Sequence, residues 1–200
     1  TASINNLLQG TKDQWFRPSD AATAPDGSVF VSDWYDPGVG GHQMGDTTRG
    51  RIYRIAPEAS AYKVPSFDFL TVNGAIKALE NPNLSVRYLA SKTLRAKPDQ
   101  SVSPLKKLFN DRSVNSRLRA RAFWILSAII SPSDPLWEKA AGDPDSDIRI
   151  TVLRAARQVN RDNGPLWVKM AGDKEVQVRR EVALSLSGKK GTDVTNAWIK

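Results

Sequence analysis

Two rhythms of apolar positions divide this chain. Between residues 14 and 57 they come in short alternating runs: Ala22 and Ala24 lead into a Pro25-Asp26-Gly27 turn, and Val29, Phe30 and Val31 lead out of it to Ser32 and Asp33. Alternation on both sides of a turn signal predicts a β-hairpin. After a glycine-rich excursion, Ile52, Tyr53 and Ile55 of RGRIYRIAP supply another strand. From residue 74 the spacing changes to threes and fours, as in Val86, Leu89, Ala90, Thr93 and Leu94. That spacing predicts a series of amphipathic helices with one apolar stripe each.

The helical part repeats itself. NPNLSVRYLASKTL (81–94), DRSVNSRLRARAFWIL (111–126), DPDSDIRITVLRAA (143–156) and DKEVQVRREVALSL (173–186) each open on Asn or Asp and carry an arginine six residues later: Arg87, Arg117, Arg149 and Arg179. Upstream of three copies stand PLKKLFND, PLWEKAAGD and PLWVKMAGD, opening at Pro104, Pro135 and Pro165. Spacings of 30 to 32 residues between the arginines match solenoids built from helix pairs. Proline suits a first helical position, and Ser103 and Asp134 stand where N-caps belong. Asn81-Pro82 and Asp143-Pro144 open second helices in the same way, and Leu105, Leu136 and Leu166 are expected at equivalent buried positions. NAWIK at 196–200 places Trp198 in the column of Trp137 and Trp167. A fifth unit therefore starts there, and because solenoids end on polar caps the chain is expected to be a fragment.

The pattern resembles HEAT repeats, whose second helix follows an Asp-rich turn and carries an arginine at this offset. In the second copy the apolar register fits Arg119 better than Arg117, implying a two-residue insertion in the turn. Two roles are open to the columns Asp111, Asp143, Asp173 and Arg87, Arg117, Arg149, Arg179: an anion-binding ladder, or a structural one in which each arginine pairs with a turn aspartate or carbonyl groups. Recurrence in every unit favours the structural role. Upstream, three or four short antiparallel strands in about 45 residues match one β-propeller blade, which cannot bury both faces alone; further blades are expected before residue 1. The expected organisation is α+β, with a terminal propeller blade over 1–60, a linker over 61–73 and an all-α HEAT-like solenoid over 74–200, its four helix pairs followed by a truncated fifth.

Composition narrows the chemistry. Without cysteine, these residues hold no disulfide, thiolate nucleophile, Cys-ligated zinc or covalent c-type haem, and the single histidine, His42, excludes a multi-histidine metal site. No run approaches the ~20 apolar residues of a membrane helix, and the start lacks the regions of a signal peptide. The net charge of +8 is uneven: residues 1–72 carry six Lys/Arg against eight Asp/Glu, and residues 73–200 carry 23 against 13. A basic half can serve an anionic partner, although interspersed acids favour a solvated helix face. Nucleic acid ranks last, because the repeats lack a dense basic stripe with interleaved aromatics.

RPSDAATAPDGSVFVSDWYD, followed by GVGGHQ and TRGRIYRI, resembles the last propeller blade of membrane-bound dehydrogenases of the planctomycete and verrucomicrobial type, relatives of soluble glucose and sorbosone dehydrogenases. The resemblance covers residues 15–57, and the order of propeller then HEAT repeats agrees with it. It implies a periplasmic or otherwise extracytoplasmic parent whose propeller oxidises a sugar or alcohol, with PQQ and calcium as possible cofactors and haem c in a CxxCH domain outside these residues. The implied partners are the remaining blades and the C-terminal domains of the parent chain. In such enzymes the substrate, quinone and calcium sites sit at the propeller mouth. There Asp33 and Asp36 can offer carboxylates to a cation, His42 can act as a base or orient a hydroxyl, and Arg49 and Arg51 can neutralise a carboxylated cofactor. The alternative reading makes Asp20, Asp26 and Asp33 turn and strand-end caps, Trp34 and Tyr35 blade-to-blade core, and Arg49 and Arg51 partners of nearby aspartates. The piece by itself is not expected to be active. The competing function is a non-catalytic scaffold that binds a protein on the helical surface.

Overall fold

The computed structural model describes residues 3–36, 48–161 and 164–199. Its architecture is mixed α+β: a three-stranded antiparallel sheet followed, among the described residues, by nine helices. The backbone divides into two units, residues 1–67 with 81–87, and residues 68–80 with 88–200. No described helix is long and apolar enough to cross a membrane.

The first unit is built on strands β1 (Pro18–Thr23), β2 (Val29–Asp33) and β3 (Arg51–Ile55), with β2 in the middle. In the register, Val31 lies opposite Ala21 and Tyr53, and Asp33 lies opposite Pro18 and Arg51. The β1–β2 turn closes through Ala24 N–H donating to the Ser28 carbonyl at 2.7 Å and Gly27 N–H to the Ala24 carbonyl at 2.9 Å. Gly27 sits at φ 88°, where a side chain would be strained. Asn81, which belongs to this unit, donates from Nδ2 to the Pro25 carbonyl at 2.9 Å. The apolar core is thin: Ala24, Val31 and Val86 are its buried apolar residues among those described. β1 is exposed along its whole length, and Trp34 and Ile52 stand in solvent.

The helices are α1 (Val72–Ala78), α2 (Leu84–Ala96), α3 (Pro98–Asn110), α4 (Ser116–Leu126), α5 (Leu136–Ala141), α6 (Ser146–Gln158), α7 (Gly164–Met170), α8 (Val176–Leu186) and α9 (Thr192–Ile199). Within the second unit the helices pack in consecutive pairs, α3 with α4, α5 with α6 and α7 with α8, while α4, α6 and α8 pack side by side. The core between them is apolar and aromatic. Phe109, Phe123 and Trp137 form a continuous contact, with ring centroids 5.4 and 5.2 Å apart, and Leu105, Leu126, Ile148, Leu153 and Trp167 are fully buried.

Three details depart from the sequence expectation. α3 begins at Pro98, so Pro104 is inside the helix and Ser103 caps nothing. Pro98 already occupies the first turn, where a missing N–H is harmless, and Pro104 simply lacks an N–H for the Gln100 carbonyl. The side-chain caps of α2, α4 and α6 stand later than the opening Asn or Asp: Asn83 accepts from Val86 N–H at 3.0 Å, Asn115 from Arg117 N–H at 2.9 Å, and Asp145 from Asp147 N–H at 2.9 Å. Leu105 and Leu136 are buried as expected, whereas Leu166 is only half-buried. It lines an open groove of about 470 Å³ with Pro165, Met170, Glu138 and Ala141, and Trp167 takes the buried place instead.

Candidate functional site

The first constellation gathers at the end of the sheet. Asp33 is the last residue of β2, directly across from Arg51, the first of β3, so the two side chains leave the same face of the sheet. The Asp33 carboxylate is fully covered. Its Oδ1 accepts from Arg17 N–H at 2.8 Å and Tyr35 N–H at 2.9 Å, and its Oδ2 from Arg51 Nε at 3.0 Å and Nη2 at 2.6 Å. Arg51 also donates from Nη2 to Asp13 Oδ2 at 2.7 Å, and its guanidinium lies 4.5 Å from the Tyr35 ring centroid and 5.4 Å from that of Tyr53. Tyr35 reaches this position with a left-handed backbone, φ 51°. Burial by itself would raise the Asp33 pKa, but the donors from Arg17, Tyr35 and Arg51 outweigh it and hold the carboxyl below its ordinary value. Arg51 is shifted upward, first by its hydrogen bond to Asp13 and then, against the opposing effect of burial, by that to Asp33.

Four N–H donors aimed at one carboxylate leave little room for a cation on the same oxygens. Among the described residues no group of three or more His, Cys, Asp or Glu is placed to hold a metal. Asp33 and Arg51 are thus brought together, with Asp13, Tyr35 and Tyr53 as neighbours that sequence reading missed. Asp36 and Arg49 are described, and each is engaged in an interaction of its own. His42 and most of the 36–48 loop lie outside the described residues.

The second constellation runs between the helix pairs. Each second helix is preceded by an Asx turn: Asn81 accepts from Asn83 N–H, Asp111 from Ser113 N–H, Asp143 from Asp145 N–H and Asp173 from Glu175 N–H, all between 2.8 and 3.0 Å. Arg87, Arg149 and Arg179 each fold back so that Nη1 meets the carbonyls six and five residues earlier. Arg149 also reaches forward to the next turn, with Nε 2.7 Å from Asp173 Oδ2 and Nη2 2.8 Å from Oδ1. In the second copy this position belongs to Arg119, which donates from Nε to the Phe109 carbonyl at 2.8 Å and from Nη2 to Asp143 Oδ2 at 2.5 Å. Arg117 is exposed and stands outside the ladder, because the two extra turn residues carry it one half-turn past the buried stripe. Asp111 accepts from the Ser113 hydroxyl at 2.6 Å.

A third cluster escaped the sequence reading altogether. Glu181 is buried on α8 and gathers two arginines of α6. Oε1 accepts from Arg154 Nε at 2.9 Å and Nη2 at 2.6 Å, Oε2 accepts from Arg157 Nη2, and Arg157 Nη1 also reaches the Ser185 hydroxyl at 2.8 Å. Burial opposes ionisation here as well, yet the two guanidinium groups prevail and lower the Glu181 pKa. The legible signal was an acid standing between Val178 and Val182 in an otherwise apolar stripe, a position that demands a buried cationic partner.

Compared with known families, residues 3–59 match a family described as a domain of unknown function, DUF7133. No curated protein matches the chain.

Proposed function

We propose that the helical unit is a HEAT-type solenoid acting as a protein-binding scaffold, and that the sheet is one blade of a β-propeller. The observation that supports this is the forward reach of Arg119 to Asp143 and of Arg149 to Asp173, each bridging 24 residues to the next turn. A buried ion pair repeated from unit to unit sets the register of stacked repeats, and it leaves the outer helix surface free to vary with a partner. The buried carboxylates Asp33 and Glu181 are each engaged with arginines of their own unit. The exposed β1 and the thin sheet core agree with a blade that is covered by neighbours.

The test is photo-crosslinking of the protein in its own cells, with a benzophenone side chain at exposed Leu184 and, for comparison, at exposed Lys169. A defined protein adduct from position 184 and none from 169 supports the scaffold. Absence of any protein adduct at both positions overturns it.

A second reading attaches to the sheet unit. The stretch that carries the dehydrogenase resemblance, residues 15–57, lies inside the 3–59 segment matched by a family, which supports treating it as a recurring domain. On this reading the parent is a quinone-dependent oxidoreductase in an extracytoplasmic compartment, the 36–48 loop edges its propeller mouth, and His42 contributes to substrate or cofactor binding. Within the parent, His42→Ala then lowers turnover or cofactor affinity and leaves the thermal midpoint nearly unchanged. Unaltered turnover and affinity count against it.

A further inference from the structure

Arginine on the helical unit is concentrated on one row of helices. α4, α6 and α8, which pack side by side, carry eight arginines, namely Arg117, Arg119, Arg121, Arg149, Arg154, Arg157, Arg179 and Arg180, against two acids, Asp147 and Glu181. The partner row α3, α5 and α7 carries four lysines against Asp99 and Glu138.

The exposed stripe of the basic row mixes cation and aliphatic surface, with one exposed acid, Asp147, on the Arg154 face of α6. On α8, Val176, Arg180 and Leu184 are exposed, and their four-residue spacing places them on one face; Val176 is 62% and Leu184 50% exposed. On α6, half-buried Ile150 precedes Arg154 by the same spacing, and the Arg154 side chain is 53% exposed. Arg154 is also held in place, since buried Glu181 fixes its Nε and Nη2. A guanidinium that is already oriented loses less freedom on meeting an anion. On α4, Arg117 is exposed and Trp124 half-buried.

We propose that the outward face of α4, α6 and α8 is a docking surface for an acidic segment of a partner protein, its carboxylates meeting Arg117, Arg154 and Arg180 and its apolar side chains lying on Ile150, Val176 and Leu184. The proposal rests on the scaffold reading and names the chemistry of the partner. Charge complementarity selects an anion, and the aliphatic residues between the arginines select a polypeptide: single-stranded nucleic acid is held by aromatic stacking beside its phosphate contacts, whereas beside Arg154 and Arg180 this stripe offers Ile150, Val176 and Leu184, and its one aromatic, Trp124, is half-buried.

The test uses the 200-residue chain and a fluorescein-labelled synthetic peptide of alternating Glu-Leu and Glu-Glu pairs, read by fluorescence anisotropy. The expected result is saturable binding that weakens with salt, falls about tenfold or more with Arg180→Glu and about threefold or more with Leu184→Ser. Lys169→Glu on α7 should leave it unchanged. A poly-Glu peptide and a single-stranded thymidine oligonucleotide should bind more weakly than the Glu-Leu probe. The proposal is overturned if Arg180→Glu and Lys169→Glu have equal effects, or if the oligonucleotide binds as tightly and Leu184→Ser changes nothing. Arg180 and Leu184 are exposed, so both variants should keep wild-type helicity. A crosslinked partner without an acidic segment would end this proposal and leave the scaffold standing, whereas no protein adduct at all would end the scaffold.

Discussion

Arg149 and Asp173 form a two-pronged ion pair across successive repeats, Nε to Oδ2 at 2.7 Å and Nη2 to Oδ1 at 2.8 Å, with both side chains largely buried. The remaining arm of the guanidinium binds the Asp143 and Pro144 carbonyls, so one side chain joins two turns. Arg149→Ala leaves Asp173 and the two carbonyls without that partner and should cost on the order of 3 kcal/mol in urea denaturation. Arg149→Lys should recover little of it, because an ammonium is a point charge and cannot reproduce the planar fork. Recovery to within about 0.5 kcal/mol of wild type would show that charge alone suffices at this position.

Arg117 and Arg119 separate the six-residue spacing from the buried register. Arg119 is buried against Asp143 and the Phe109 carbonyl, and Arg117 is exposed. Arg119→Ala should lower the denaturation midpoint strongly, and Arg117→Ala should change stability by less than about 0.5 kcal/mol. The reverse order would place Arg117 in the ladder.

Stability should fall with acid. Asp33, Asp134, Asp173 and Glu181 all have folded pKa values below their ordinary ones, since donors from Arg17, Lys106, Arg149, Arg154 and their neighbours outweigh the burial that opposes them. The folded state thus binds fewer protons than the unfolded state near pH 4. The contribution of these groups is complete above about pH 5 and is lost as pH falls through about 4 and below. Thermal midpoints between pH 7 and 3 measure this. Glu181→Gln should be less stable than wild type at pH 7, and the gap should narrow below about pH 4; a gap constant with pH would remove Glu181 from the linkage.

The sheet end should respond as one unit. Asp33→Asn keeps the size of the side chain but turns one acceptor oxygen into a donor facing Arg51 or the Arg17 and Tyr35 amides. Amide hydrogen exchange of residues 18–33 and 51–55 should accelerate together in this variant, with residues 98–158 unaffected. Exchange confined to Arg17 and Tyr35 would mean that the ion cluster does not hold the strands.

The helical part was legible because its information is local and repeated. The Asn and Asp turn openers, the arginine six residues on and the three- and four-residue apolar spacing recur four times, and each feature acts within one helix and its turn. Even the displaced register of the second copy could be read, since Leu118, Ala122 and Phe123 fix the buried stripe around Arg119. The start of α3 was not legible from Pro104 because proline marks a first turn and is also tolerated inside a helix that packing holds in place. Arg154 and Arg157 went unread because their partner Glu181 stands 27 and 24 residues away in sequence, and nothing local distinguishes these arginines from solvated ones.

By itself the sequence determined the element types, the change from strands to helices, the helix-pair period and the excess of base in the second half, because periodicity and charge are properties of the order of residues. Only the tertiary structure decided which charges are spent inside the fold and which face outward. It set Arg51 on Asp33, Arg149 on Asp173 and Arg157 on Glu181, it anchored Arg154 on Glu181 with half of its side chain outward, and it left Arg117 and Arg180 in solvent. The physical reason is that a charge acquires its role from burial and from the partner that burial brings within about 3 Å, and both depend on how helices and strands distant in sequence are packed together.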